Sequence, residues 1–587
     1  MRMASCGVRK LFIPGLVVGV IASGLTAGCA QAVSADEITV TYPYYGFVEN
    51  PDNPWGSVYD ALDETGEVQY SDAFFAEPSP GEHAKLRAAS YALALAGFEN
   101  QKDGYPASPS NPNPKLYGML TQMGFSDFES WDIESEDNGH SMGTTIGHKK
   151  LANGQDLIVV APRNYNYLTE WLSNFNVGVS GDHAGFSESA GLMVDRFNQY
   201  VAAHNFTNYK VWVVGYSRGG AVVDLFAKNI NANITNYGLS PDDFYVYTFG
   251  APRASVVETK YANIHDVKDG NDLLLGYLFP EAWGFYNTGV YEEIHPADLA
   301  ITTGVMDITD LVNSTSVMDL MNIGDLTKEV GEMNGREFMD GWLQFVTESG
   351  LTREYFDTEV KPPLSALMQL YQMRTLDRQS DFIEFFKSID SGLAGILLKN
   401  IMEDLSNYSG NLKEYPFYQN ILKVLKGTAT EADVNELTDC LDGYIKEADY
   451  EQLPDGPIKV SPEEFAVIKD NLPKLVKALA PILIADAKYT QATYGENYSL
   501  YYTYSLASNA ENLVIGHIPE SIMPILKSLI VDDDNGNVDE ESVLCVPNSG
   551  QAGADRENGS LAVAADYSAV IIMASVAAGV IWYRRRA

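Results

Sequence analysis

Positive charge, cysteine and histidine are scarce in this sequence, and each shortage narrows what the chain can be. Lys and Arg number 39 against 79 Asp and Glu, a formal net charge of −40. Such a surface repels phosphate, which argues against a nucleic-acid partner and against charge-driven binding to an anionic membrane. Only four cysteines occur in 587 residues. Cys6 and Cys29 lie in the N-terminal apolar region, so Cys440 and Cys545 are left for at most one disulfide, which an oxidising compartment permits and the sequence does not demand. There is no internal repeat and no cluster of metal-ligating residues at usable spacing, so neither a metal nor an organic cofactor is expected. What the chain has is length and 45% hydrophobic residues, enough for a sizeable core and more than one domain.

Long apolar runs stand at the two ends. Arg2, Arg9 and Lys10 precede a run from Leu11 to Ala27, and Val33-Ser34-Ala35 offers a small-residue exit before Asp36. Residues 1–35 therefore read as a secretory signal peptide. The alternative, lipoprotein processing at Cys29, places Leu25 one position too far away. At the other end, Ser568 to Tyr583 is uncharged and is followed by Arg584-Arg585-Arg586, as in a membrane anchor with a basic stop. Val546-Pro547-Asn548-Ser549-Gly550 looks like a degenerate cell-wall sorting signal. Both ends predict an extracellular protein held at its C-terminus on the surface of a Gram-positive bacterium, with the C-terminal segment in the membrane or processed for the wall.

The chain is organised around Lys210 to Ile230, KVWVVGYSRGGAVVDLFAKNI. Val211-Trp212-Val213-Val214 reads as a short buried strand, and Ala221 to Ile230 carries apolar residues at helical spacing. Between them Gly215-Tyr216-Ser217-Arg218-Gly219 is G-x-S-x-G in the strand–turn–helix setting of a nucleophile elbow. The turn leaves Ser217 at a strand end and a helix N-terminus, where the Arg218 N–H and the helix dipole both face an oxyanion formed on an attacked carbonyl.

In chain order, an amphipathic helix is expected from Glu82 to Phe98, and strands near Ser141–Ile146 and Leu157–Ala161. A helix from Ser187 to Ala203 leads into the elbow, and further strands lie at Phe244–Phe249 and Asn263–Val267. The last of these ends in an acidic loop, Lys268 to Asp272. Strands alternating with helices predict an α/β fold, an open and mainly parallel sheet covered on both faces, with reactive groups at the strand carboxyl ends. From 298 to 488 the pattern turns wholly helical, including a capping box at Ser461-Pro462-Glu463-Glu464. Eight methionines there (Met306, Met318, Met321, Met333, Met339, Met368, Met373, Met402) suit either a plastic lid over an acyl chain or, with more weight, ordinary helical core.

Strand-like residues return at Tyr501–Ser505, followed by a helix from Glu520 to Ile530. The expected organisation is thus a signal peptide at 1–35, a core over 36–297 that resumes at 489–530, a helical insertion at 298–488, an acidic stalk at 531–567 and a tail at 568–587. Within the stalk, Asp532 to Asn537 resembles part of a calcium loop, but aligning its glycine puts Val531 in the first ligand position, which counts against a site.

A serine hydroxyl needs a histidine to take its proton, and the histidine needs a carboxylate. In this fold they follow in the order Ser, acid, His. Of eight histidines, His83, His140, His148, His183 and His204 precede Ser217, and His265 precedes the best acid. His295 and His517 remain, with His517 favoured because it lies in a loop between a return strand and a final helix. Asp272 is preferred as the acid over Asp269 and Asp266.

GYSRGG, the strand ending FGAPR and the loop GNDLLLGYLFPEAWGF resemble the class 3 lipases, the fungal-lipase-like branch of the α/β-hydrolases. RNYNYLTEWLSNF, GDHAGF and GHIPESIMPIL are similar to their bacterial secreted members. The resemblance spans about Tyr70 to Thr303 and resumes near Tyr501. It implies an α/β-hydrolase fold with a large helical insertion, Ser217 as nucleophile, Asp272 as acid, His517 as base, and an oxyanion hole from the Arg218 amide and the loop near Tyr165. Asn164 stands where the family has glycine, and asparagine tolerates left-handed backbone better than most residues. Glu170, Trp171, Asn174 and His183 also match and read as loop-fixing. The implied activity is hydrolysis of ester or lipid substrates through an acyl-enzyme. The competing expectations are peptidase or acyltransferase chemistry with the same triad, and a binding protein on a decayed hydrolase scaffold.

Overall fold

The computed structural model describes residues 37–50, 58–81, 83–97, 113–131, 142–163, 171–269, 272, 279, 281–294, 300–301, 333–334, 352–372, 407, 409, 415–425, 427–447, 461–494, 517 and 519–534. The signal peptide, the Cys29 site, Cys545, the sorting-like motif and the C-terminal apolar run lie outside them, as do the strand at 501–505 and the side chains of the eight methionines. Among the described residues no helix is long and apolar enough to cross a membrane.

Two long strands come first, β1 (Ile38–Asn50) and β2 (Val58–Tyr70), paired antiparallel from Ile38–Tyr70 to Asn50–Val58. Helices α1 (Ala84–Ala96) and α2 (Pro114–Gln122) follow. Next come β3 (Ser126–Trp131), β4 (Thr144–Lys150), β5 (Asp156–Pro162), α3 (Trp171–Phe175) and α4 (Ala184–His204). The elbow strand β6 (Tyr209–Tyr216) feeds α5 (Arg218–Asn231), and β7 (Phe244–Phe249), β8 (Tyr261–Asp269) and β9 (Gly289–Ile294) complete the sheet. Its seven strands lie in sequence order, β3 to β9. The β3–β4 and β4–β5 pairs are antiparallel, and β5 through β9 are parallel. This is the mainly parallel, doubly covered sheet of an α/β-hydrolase.

The period of two along each strand assigns the faces. Val211, Val213, Val246 and Ile264 pack against Phe197 of α4 and Val222, Val223 and Phe226 of α5. Trp212, Val214, Tyr245, Tyr247 and Val267 point the other way, into a core shared with α1, the β1–β2 hairpin and Ile522 and Leu526 from the chain's last described helix. Being covered from several sides explains why α1 departs from the expected amphipathic pattern: ten of its residues, Leu86 and Ala88 to Ala96, are buried. The β1–β2 hairpin, β3 and β9 escape a reading by alternation. Half of β3 is solvent-facing, and β1 mixes tyrosine and proline into its run.

Within the stretch expected to be wholly helical, Ala300–Ile301 pairs antiparallel with Met333–Asn334 as two short strands. Its described helices start with a turn at Arg353–Tyr355, pass through a π turn at Phe356–Val360, and continue as α6 (Lys361–Gln372). Pro362 and Pro363 account for the wide turn, because a proline ring lacks an N–H and crowds the carbonyl four residues back. Helices α7 (Pro416–Leu425), α8 (Glu431–Glu447) and α9 (Pro462–Tyr494) gather Val424, Leu437, Leu441, Ile445, Ile468, Leu472 and Leu475 into a separate core. The capping box forms reciprocally: the Ser461 N–H donates to Glu464 Oε2 at 2.5 Å and the Glu464 N–H to Ser461 Oγ at 3.2 Å. Helix α9 runs six residues past the expected boundary at 488, and α10 (Pro519–Asp534) continues four residues into the segment read as stalk.

Candidate active site

The geometry of the elbow follows from its backbone. Ser217 sits at φ 55° and ψ −129°, between the last residue of β6 and the first of α5. A non-glycine residue with positive φ is uncommon and costs energy, which the surrounding structure must hold in place. Two close approaches make that hold. A Cβ on Gly215 would lie 2.6 Å from the Gly219 carbonyl oxygen, and one on Gly220 would lie 2.8 Å from the Ala251 Cβ. The Ser217 N–H donates to the Phe249 carbonyl at 2.9 Å, tying the elbow to the end of the neighbouring strand β7.

The described residues of the acid and base candidates converge on this strand end. His517 Nδ1 lies 2.7 Å from Asp272 Oδ2, and the Asp272 side chain is fully buried. A carboxylate only accepts, so the ring presents Nδ1–H to it and keeps its lone pair on Nε2. The His517 ring stacks on Tyr216, the residue before Ser217, at 4.8 Å, and the Tyr216 hydroxyl donates to the His517 backbone carbonyl. Gly250, one residue after Phe249, faces the pair so closely that a Cβ there would come 2.8 Å from His517 Nδ1 and 3.0 Å from Asp272 Oδ2. The imidazole is thus brought to the elbow from 300 residues further along the chain. It is held because Pro519 opens α10 two residues later and α10 packs Ile522, Met523, Ile525 and Leu526 into the core beside α1.

The rejected candidates have other partners. His265 lies within β8, with Nδ1 2.7 Å from Glu292 Oε1 and Nε2 2.8 Å from the Ser79 carbonyl oxygen. Both ring nitrogens are engaged, so this equally short histidine–carboxylate pair has no free nitrogen to turn toward a serine. Asp266 and Asp269 are also in β8, which runs two residues past the expected end at Val267. Tyr165, Asn164, Glu170 and His295 lie outside the described residues.

Arg218, the first residue of α5, is 2% exposed. Its Nε and Nη2 donate to Ser173 Oγ of α3 at 3.2 and 2.8 Å, and Nη2 also donates to Ser189 Oγ of α4 at 3.0 Å. His183 caps α4, its Nδ1 accepting from the Phe186 N–H at 3.4 Å while Nε2 donates to the Asn174 carbonyl at 3.2 Å. Burial holds its pKa down to about 3, with the nearby Arg353 and Arg218 charges adding to the effect, so it stays neutral.

Beneath the strand ends lies a buried polar layer that sequence reasoning missed. Asp224 of α5 accepts from the Thr288 N–H and hydroxyl at 3.0 and 2.8 Å, and its pKa is raised to about 7, first by burial and then by Asp266. Thr248 Oγ1 donates to Asp266 Oδ1 at 3.0 Å, and Lys268 Nζ donates to Asn287 Oδ1 at 2.7 Å while standing 3.6 Å from Asp266 Oδ2. Burial pushes the Asp266 carboxyl up and the Lys268 ammonium down. No local motif announces these partners, because they come from four separate elements.

Fold and elbow define the class: an α/β-hydrolase with a serine at the turn after its central strand. Residues 161–274, which include Ser217, Arg218 and Asp272, match the family lipase (class 3), and the chain is accordingly a serine ester hydrolase similar over that stretch to the class 3 lipases. Among solved structures it is similar to a triacylglycerol lipase with a serine-protease-type triad at its catalytic centre, at 18% identity over 36% of this chain and 82% of that one, with a TM-score of 0.27. A lipase from Rhizopus microsporus var. chinensis is similar at 17% identity over 42% and 82% of the two chains, TM-score 0.26. The triacylglyceride lipase of Rhizomucor miehei is similar at 22% over 28% and 65%, TM-score 0.20. No curated protein matches the chain in sequence.

Proposed function

We propose that the chain hydrolyses carboxylic esters of lipids through an acyl-enzyme, with Ser217 as nucleophile, His517 as general base and Asp272 as the carboxylate that orients it. The observation that carries this reading is the 2.7 Å contact between His517 Nδ1 and Asp272 Oδ2 at the elbow that bears Ser217. Ser217 Oγ attacks the ester carbonyl as its proton passes to His517 Nε2. The imidazolium, steadied by Asp272, gives that proton to the departing alcohol, and a water activated by the same ring then releases the acid. The Arg218 N–H at the helix start supplies one oxyanion donor, and the loop near Tyr165 supplies the second. Lipid esters fit best because the matching family is a lipase family. The charged and apolar patterns of residues 1–35 and 568–587 support placing the enzyme outside the cell, tethered at its C-terminus.

Labelling by a fluorophosphonate tests the chemistry. Wild type labels, Ser217→Ala does not, and His517→Ala labels at least about 10³-fold more slowly. A folded wild type that resists labelling overturns the reading in favour of a binding protein on this scaffold. A series of p-nitrophenyl esters of rising chain length then measures acyl preference, and cleavage of peptides in its place would assign the triad to a peptidase.

A further inference from the structure

Arg353 stands in the first described turn of the helical segment, yet its side chain is spent on the hydrolase core. Nη1 donates to the Gly181 carbonyl at 2.9 Å, and Nη2 to those of Val177 at 2.8 Å, Ser180 at 3.2 Å and Asp182 at 3.4 Å; Nε donates to Gly178. The guanidinium plane also covers the Phe285 ring at 4.3 Å. Five carbonyls of one six-residue turn thus converge on one cation, an arrangement that requires Gly178 and Gly181 at φ +71° and +72°. A lysine could not reproduce it, since a single ammonium has three donors and no planar fork.

That turn joins the two helices that hold Arg218. On its N-terminal side, the Asn176 N–H donates to the Ser173 carbonyl at 3.2 Å, and Ser173 Oγ receives Arg218 Nε and Nη2. On its C-terminal side, the Ala184 N–H donates to Val177 O at 3.2 Å and the Gly185 N–H to Asn176 O at 2.9 Å. Gly185 lies so tightly on Ser173 that a Cβ would come 2.1 Å from the serine carbonyl oxygen. Ser189, which accepts from Arg218 Nη2, donates to Gly185 O at 3.1 Å.

We infer that Arg353 is a positioning residue for the reaction: it fastens the helical segment to the 177–182 turn and so fixes, through Ser173 and Ser189, the Arg218 amide that faces the reacting carbonyl. The inference rests on the proposed acyl-enzyme chemistry and adds to it that the helical segment, through this side chain, is part of what holds the oxyanion donor in place.

Three full-length variants test it on p-nitrophenyl butyrate, with fluorophosphonate labelling rates and thermal midpoints measured alongside. Arg353→Met keeps the stem and removes the fork; kcat and the labelling rate fall about 10–100-fold with KM within about threefold, the scale of an ångström-sized misplacement. Arg353→Lys recovers part of the loss. Leu437→Ala, inside the helical core and away from the turn, lowers the midpoint and leaves kcat unchanged. Combining Arg353→Met with Ser173→Ala costs little more than the larger single change, because both break one path. Wild-type kcat in a folded Arg353→Met, additive losses in the double variant, or an equal kcat loss in Leu437→Ala overturns the inference while wild-type labelling leaves the ester-hydrolase reading intact. A wild type whose labelling does not depend on Ser217 overturns both.

Discussion

Gly250→Ala adds one methyl group at the point where the imidazole and carboxylate meet. Gly250 has φ +53°, and the added Cβ would lie 2.8 Å from His517 Nδ1, 2.9 Å from Cε1 and 3.0 Å from Asp272 Oδ2, where ordinary contact begins at 3.4 Å. The shortfall is about 0.6 Å against the imidazole nitrogen, and it falls beside a bond only 2.7 Å long. The backbone is anchored by the Gly250 N–H to Val267 O at 2.9 Å, so the ring gives way rather than the strand end. Displacing a reacting group by about an ångström costs on the order of 10² in rate, and disabling the carboxylate of a serine triad about 10⁴. The expected loss in kcat lies between those bounds. A left-handed alanine separately costs about 1 kcal/mol of stability. Gly238→Ala isolates that term, since Gly238 has φ +68° with nothing within 4 Å of its would-be Cβ. Steady-state ester hydrolysis and fluorophosphonate labelling, each with a thermal midpoint, make the comparison. Wild-type kcat in a folded Gly250→Ala would refute the assignment of His517 and Asp272, and an equal kcat loss in Gly238→Ala would refute the steric argument.

Two more changes probe what supports the site. Asp224, held at about pKa 7 by burial and by Asp266, is easier to keep protonated in the folded chain than in the unfolded one. Its contribution to stability is complete below about pH 4 and is lost as pH rises towards 7, by on the order of 4 kcal/mol. Asp224→Asn therefore gains stability relative to wild type between pH 5 and pH 8 in urea titrations, and a constant difference across that range would refute the assignment. Ser90→Ala strands the Trp212 indole N–H, which donates to Ser90 Oγ at 2.8 Å in the core beneath the elbow strand. It costs about 1–3 kcal/mol of unfolding free energy, and an unchanged denaturation midpoint would show that the indole finds another acceptor.

The parts of this molecule that were legible in sequence are those in which neighbours along the chain decide the outcome. Val211 to Val214, Gly215, Ser217 and the periodic apolar residues of α5 specify strand, turn and helix within 21 residues, and the positive φ of Ser217 is a local consequence of that turn. The sheet's parallel middle could be read because β5, β6 and β7 are largely continuous apolar runs separated by helical patterns. The hairpin β1–β2 and strand β9 could not, since exposed or aromatic-rich strands lose the alternation that periodicity depends on. Helix α1 was placed correctly and its surroundings were not, because all-round burial depends on which elements arrive to cover it.

Chain order and a resemblance narrowed the base to His517 and the acid to Asp272, but sequence alone could not show what physically separates the His517–Asp272 contact from the equally short His265–Glu292 contact. Packing made that difference: α10, seated in the core beside α1, delivers one imidazole to the end of β6 and β7, whereas the ring of His265 is locked within β8 between a carboxylate and a carbonyl. The buried Asp224–Asp266–Lys268 layer and the Arg353 clamp belong wholly to tertiary structure, as each joins groups from elements far apart in the chain. Sequence determined the reactive turn, because strain in a five-residue bend is a short-range property. Tertiary structure decided what surrounds it, because hydrogen bonds and charges act over ångströms of space whatever the separation along the backbone.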